Sequence, residues 1–120
     1  MSPAKWAQDA GVRFSSHMDT PVTPMRPLQA VWSPVERKTK TGVVLLGPDQ
    51  RINRMSALRA VTIDAAWQVF MDDDIGSIEP GKLADLVVLS GSPLTATDLR
   101  ELLGEMTLIE GVTYIERNVD

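Results

Sequence analysis

The 120-residue chain is 43% hydrophobic and 23% charged, the balance of a globular domain with room for one modest core. Its 12 basic residues against 16 acidic ones give a net charge of −4, which argues against a nucleic-acid or anionic-membrane partner, since both reward clustered Lys and Arg. There is no cysteine, so disulfides, thiolate metal sites and Cys nucleophiles are excluded.

No apolar run approaches the ~20 residues that a membrane helix needs. The start, "MSPAKWAQDAG", holds one Lys and no apolar block, so it does not read as a secretory signal, and a cytoplasmic location is the expectation. The same stretch predicts a short helix with Ser2 as its cap, Pro3 in the first helical position and Gly11 at its end. Next, "GVRFSSHMD" alternates as a strand does. Val12, Phe14, Ser16 and Met18 share one side, and Arg13, Ser15, His17 and Asp19 share the other. Pro21, Pro24 and Pro27 then force a loop.

"LQAVWSPVERKT" has helical character, with Pro34 expected to end or kink it. "KTGVVLLGPDQ" is connecting chain with turns at Gly42 and at Gly47-Pro48. The clearest predicted helix starts after Asn53, a good N-cap, and runs through "RMSALRAVTIDAAWQVF". Its stripe of Leu58, Val61, Ala65 and Val69 lies beside a second of Ile63, Trp67 and Phe70, a breadth that implies burial on more than one side. Beyond the acidic "MDDD" the chemistry becomes that of strands, so Met71–Asp74 is the candidate boundary. In "EPGK", Pro80 and Gly81 spell a type II turn. "LADLVVL" reads as a strand covered on both faces. Thr95 and Asp98 offer a capping box for a short helix ending near Gly104, and "MTLIEGVTYIER" is a hairpin with Glu110-Gly111 at its tip.

The possible chemistry is narrow. A thiolate-free zinc site takes mostly imidazoles, and His17 is the single histidine. Asp72, Asp73 and Asp74 are adjacent, so their side chains diverge, and the run reads as a solvated linker. Ser15 and Ser16 neighbour His17 but form no nucleophile elbow. "GPDQR" and "SGSP" lack the glycines and lysine of a phosphate loop. The polar face that ends in Asp19 has two readings. It is a half-exposed strand whose polar side meets water, or a strand of a parallel α/β barrel whose His17 and Asp19 point into the mouth.

The stretches "SPAKWAQDAGVRFSSHMDTPVTPMRPLQAVW", "TGVVLLGPDQRI", "SALRAVTIDAAWQVF" and "IGSIEPGKLADLVVLSGSPL" resemble, in that order, the C-terminal end of amidohydrolase family 3, in a branch of the metal-dependent amidohydrolase superfamily with members named exoenzyme regulatory protein. The resemblance implies an α/β fold, α+β for the piece alone. Residues 1–70 would be the last strand and helices of a TIM-like barrel, and residues 71–120 the C-terminal strands of a small composite β-sandwich. It implies a parent hydrolase acting on carbon–nitrogen bonds of small amide or cyclic-amide substrates, with a divalent metal, zinc first, as cofactor.

By the same resemblance Asp19 matches the aspartate that binds metal and takes a proton from the attacking water, and His17 matches a supporting or substrate-facing histidine. "EPGKLADLVVL" is assigned no chemistry. Two departures stand out: "SPVER", with Pro34 and Glu36, replaces something nearer "AVNR", and Ser56 stands where many relatives have a capping Glu. The family's early "HxH" pair, its metal bridge and its later histidines have no counterpart in this sequence. The isolated chain is therefore expected to be inactive and to hold no metal by itself. Its expected partners are a small-molecule substrate in the parent and the remaining barrel, with self-association of the isolated piece and no nucleic acid or membrane. The alternative is a non-catalytic accessory or regulatory module that folds on its own.

Overall fold

Short helices and one antiparallel sheet make up the chain in the computed structural model, which describes residues 2–39, 41–44 and 47–116. Helix α1 (Ala4–Asp9) begins one residue later than its sequence suggests. Pro3 takes the cap position and no side chain caps the helix, so Ser2 does not have the capping role expected of it. Gly11, at φ 68°, turns the chain out of the helix while its N–H reaches the Gln8 carbonyl at 3.0 Å.

Helix α2 (Pro27–Glu36) opens on a proline, whose missing N–H costs nothing at that position. It then runs through Pro34 instead of ending there. Pro34 lies in the last turn, so the damage is confined to one intrahelical bond. Arg37, left-handed at φ 53°, closes the helix by donating its N–H to the Ser33 carbonyl at 3.0 Å. The Pro34 carbonyl meanwhile accepts from Ile52 N–H at 3.2 Å, which joins α2 to the start of the next helix.

That next helix is the largest departure from the sequence reading. Asn53 caps it as expected, its side chain accepting from Ser56 N–H at 2.8 Å. The single long helix, however, is two: α3 (Arg54–Arg59) and α4 (Ile63–Gln68). The break falls in the β-branched run Val61-Thr62-Ile63, where χ1 restriction lowers helix propensity. Thr62 leaves helical space (φ −124°, ψ −103°), and its hydroxyl bonds back to the Leu58 carbonyl at 2.8 Å. The expected burial of the second stripe also fails: Phe70 is 93% exposed and Trp67 43%. The inward positions are instead Ala57, Ala60 and Ala66, small enough for close approach. Gly76 extends that approach, for a Cβ there would stand 2.7 Å from the Ala66 Cβ.

The EPGK turn forms as read, with Gly81 at φ 94° and Lys82 N–H on the Glu79 carbonyl. Lys82 Nζ reaches the Asp72 carbonyl, Ser77 Oγ and Glu79, tying the acidic turn to the strand that follows. Its hydrogen bond, helped by Ser77, holds the Glu79 carboxyl below the usual range. Strands β1 (Leu86–Leu89), β2 (Gly104–Ile109) and β3 (Val112–Glu116) form one antiparallel sheet in that order. Val87 and Val88 remain about half exposed, so β1 is not the strand covered on both faces that its apolar run suggests. At the hairpin tip Glu110 and Gly111 both take positive φ, as a type I′ turn requires.

The Thr95–Asp98 capping box is also corrected. Asp98 caps a 3₁₀ turn (Leu99–Glu101) by accepting from Arg100 N–H at 2.9 Å, and no α-helix follows among the described residues. This turn points Leu99, 1% exposed, into the core of Ala4, Val31, Trp32, Ile52 and Ala57. Arg100 stacks on the Trp32 ring at 4.2 Å, and Arg54 reaches back to the Ala96 carbonyl at 2.6 Å. The polypeptide between β1 and β2 thus packs on the helices that precede the sheet. No helix among the described residues is long and apolar enough to cross a membrane.

Candidate active site

The stretch Val12–Met18, with strand-like alternation, carries no strand in this structure. A ladder needs a neighbour, and β1, β2 and β3 pair among themselves rather than with it. Among the described residues, the backbone bond linking Arg13–Met18 to another element is Ser16 N–H to the Ala60 carbonyl at 2.9 Å. Side chains do the rest. Phe14 packs on the core, while Arg13 and Ser15 turn to α4. The Arg13 guanidinium donates to Asp64 Oδ1 at 2.7 Å and to the Ile63 carbonyl at 3.3 Å. It lies 4.7 Å from the centre of the Trp67 ring, and Ser15 Oγ donates to Gln68 Oε1.

The polar face therefore splits along its length. Its first half is engaged by α4, and its second half, His17 and Asp19, is exposed. Asp19 takes a left-handed conformation at φ 55°, which short polar side chains tolerate better than most, and its carbonyl accepts from Val22 N–H at 2.8 Å. Thr23 Oγ closes the same turn on the Met18 carbonyl. The carboxylate thus stands on a tight turn at the end of the segment, open to solvent rather than buried in a hydrogen-bond network.

A cleft of about 560 Å³ runs beside this segment. Ser15, Ser16, His17 and Met18 line one wall, and Gln29, Ser33 and Arg37 of α2 and its C-cap line another. His17 borders the cleft, whereas Asp19 is outside its lining. Sequence reading missed Arg37, a 6% exposed cation whose Nη1 donates to the Ser2 carbonyl at 2.9 Å. The signal available was slight, a basic residue just past a helix end. Among the described residues no three His, Cys, Asp or Glu side chains come close enough to hold a metal ion. His17 and Asp19 alone do not make a metal centre.

The family model of amidohydrolase family 3, described as "Amidohydrolase family", matches residues 1–115. The chain belongs to the amidohydrolase family. N-substituted formamide deformylase from Arthrobacter pascens is 38% identical over 117 residues, which is 96% of this chain and 21% of the deformylase. This amidohydrolase chain thus spans about a fifth of that relative's length. The solved amidohydrolase from Thermotoga maritima MSB8 superposes with a TM-score of 0.69 at 29% identity, over 92% of this chain and 24% of that one. Escherichia coli guanine deaminase superposes with a TM-score of 0.67 over 95% of this chain and 30% of its own; at 24% identity it speaks to the fold alone.

Proposed function

We propose that the chain is the C-terminal part of a metal-dependent amidohydrolase that cleaves carbon–nitrogen bonds of small amide or cyclic-amide substrates. The observation that carries the reading is the family match over residues 1–115 together with an Asp19 carboxylate standing open at the end of the Val12–Met18 segment. In this reading residues 1–70 close a TIM-like barrel, and Val12–Met18 lacks a ladder because its strand neighbours lie in polypeptide outside this chain. Residues 71–120 contribute strands to a small β-sandwich. The deformylase named above acts, by its name, on N-substituted formamides, which makes that class the first substrate to try.

Asp19 is the acid–base group. Its carboxylate takes a proton from the water attacking the amide carbon and returns it to the nitrogen as the C–N bond breaks. His17, two residues back and bordering the cleft, faces the substrate or supports it. Further ligands for a divalent ion, zinc first, would come from outside this chain. A protein of the relatives' length carrying this sequence should turn over an N-substituted formamide, and Asp19→Asn should lower that turnover about 10³-fold. Undiminished turnover by the Asn variant would overturn the assignment of Asp19. The 120-residue chain alone, given zinc, is expected to be silent. Turnover by it that Asp19→Asn abolishes would overturn that part of the reading.

A further inference from the structure

We infer that Arg13 is a positioning residue, a side-chain clasp that sets where the Phe14–Asp19 segment lies on α4 and hence where Asp19 is presented. The inference rests on the reading of Asp19 just given. Within this chain backbone bonding is too sparse to do this work, with the Ser16 N–H to Ala60 carbonyl bond as the link that Arg13–Met18 makes to another element among the described residues. Here Arg13 fixes the segment against α4 on the side away from any strand neighbour, a contact that a ladder would not supply. Its planar fork donates to Asp64 and to the Ile63 carbonyl, its face lies over Trp67, and Nη1 stands 4.0 Å from Asp72 on the acidic turn.

The far side of the clasp is itself held. Asp64, 14% exposed, also pairs with Arg59 at 3.5 Å, so α4 and the acidic turn meet at the Arg13 guanidinium while α3 is tied to the same carboxylate. Ser15 repeats the contact two residues on, through Gln68. A fork that donates twice and stacks once fixes angle as well as distance, which a lysine at the same place cannot do. Asp19 follows the segment directly after Met18, so rotation or slippage at Arg13 is carried to Asp19.

The cysteine-free sequence makes the test direct. Spin labels on His17→Cys and Met55→Cys, both exposed positions, report the distance from the segment to α3 by double electron–electron resonance. In the otherwise unchanged chain one narrow distance is expected. In Arg13→Ala its width should at least double, with the far-ultraviolet circular dichroism unchanged. Arg13→Lys should be as broad as the alanine variant, since charge without the fork does not clasp. An unchanged width in a folded Arg13→Ala chain, or full rescue by lysine, would overturn the inference. If Arg13→Ala does not fold, Asp64→Ala is read in the same way. The widths test the clasp whatever Asp19 does, and the turnover of Asp19→Asn tests Asp19 whatever the widths show, so either claim can fail alone.

Discussion

Three stretches of this chain alternate like strands, and two of them become strands. Gly104–Ile109 and Val112–Glu116 pair across a two-residue turn, so each supplies the other's hydrogen bonds within a few positions of sequence. Arg13–Met18 has a similar pattern and no such neighbour, and it is held by side chains that bridge about 50 positions, as Arg13 to Asp64 bridges 51. Alternation signals which face is apolar; a ladder requires a second backbone. The hairpin is therefore local and the candidate site segment is not, and the two should respond differently when the chain is perturbed.

The largest test removes the element that joins the two regions. Leu99 lies in the connection between β1 and β2, yet it is 1% exposed in the core beside Val31 and Trp32. Leu99→Ala should lower unfolding stability by about 2–5 kcal/mol, measured by urea denaturation. Amide exchange should show the Ser16 N–H losing more protection than the β2–β3 ladder, because its acceptor Ala60 ends the helix whose Ala57 packs in that core and the hairpin bonds are made locally. Equal loss at both would erase the distinction.

Next in size is Gly76, where positive φ and a close approach to Ala66 and Ile63 coincide. Gly76→Ala should cost about 1–3 kcal/mol, since strain and overpacking add. The cost should appear as a looser acidic turn and a weakened α4, leaving the hairpin register intact in cross-strand nuclear Overhauser contacts. Gly111 sharpens the contrast from the other side. A Cβ there meets Ala84 at an ordinary 3.8 Å, so Gly111→Ala carries only the left-handed backbone cost, about 1 kcal/mol. That cost should fall on the hairpin, with Ser16 exchange following only the change in global stability.

What could be read from the sequence follows the same division. The Asn53 cap, the EPGK turn, the loop at Pro21 and Pro24 (Pro27 opens α2 instead) and the Glu110-Gly111 tip were legible, because each depends on backbone chemistry within about four residues. The break at Thr62 was available in the Val61-Thr62-Ile63 run, but amphipathic periodicity outweighed it. The exposure of Trp67 and Phe70 was not available: an apolar stripe says what could be buried, and the partner that would bury it is not written in the stripe. For the same reason the sequence could propose Asp19 and His17 through family resemblance, while the Arg13–Asp64–Trp67 meeting and the descent of Leu99 into the helical core came only from the fold. Each depends on tertiary contacts far apart along the chain.

The smallest expected effect concerns the clamp beside Leu99. Arg100 binds the Asp98 carboxylate through its side chain and also its backbone N–H, which pulls that carboxyl from its ordinary 3.8 down to about 2. A carboxyl whose folded value is depressed favours the folded state when ionised, so its contribution is complete above 3.8 and is lost as pH falls through about 2. The pair is largely open to solvent, so the loss should be small and screened by salt. Between these two values the native chain should lose stability more steeply than an Asp98→Asn variant, as read by urea midpoints at stepped pH. The steeper loss should be confined to that window and shrink in 1 M salt, where the Debye length falls to about 3 Å. Parallel curves for the two proteins would mean that Arg100 is held by its stacking on Trp32 and not by Asp98. The connection that brings Leu99 to the core would then owe its place to aromatic packing rather than to charge.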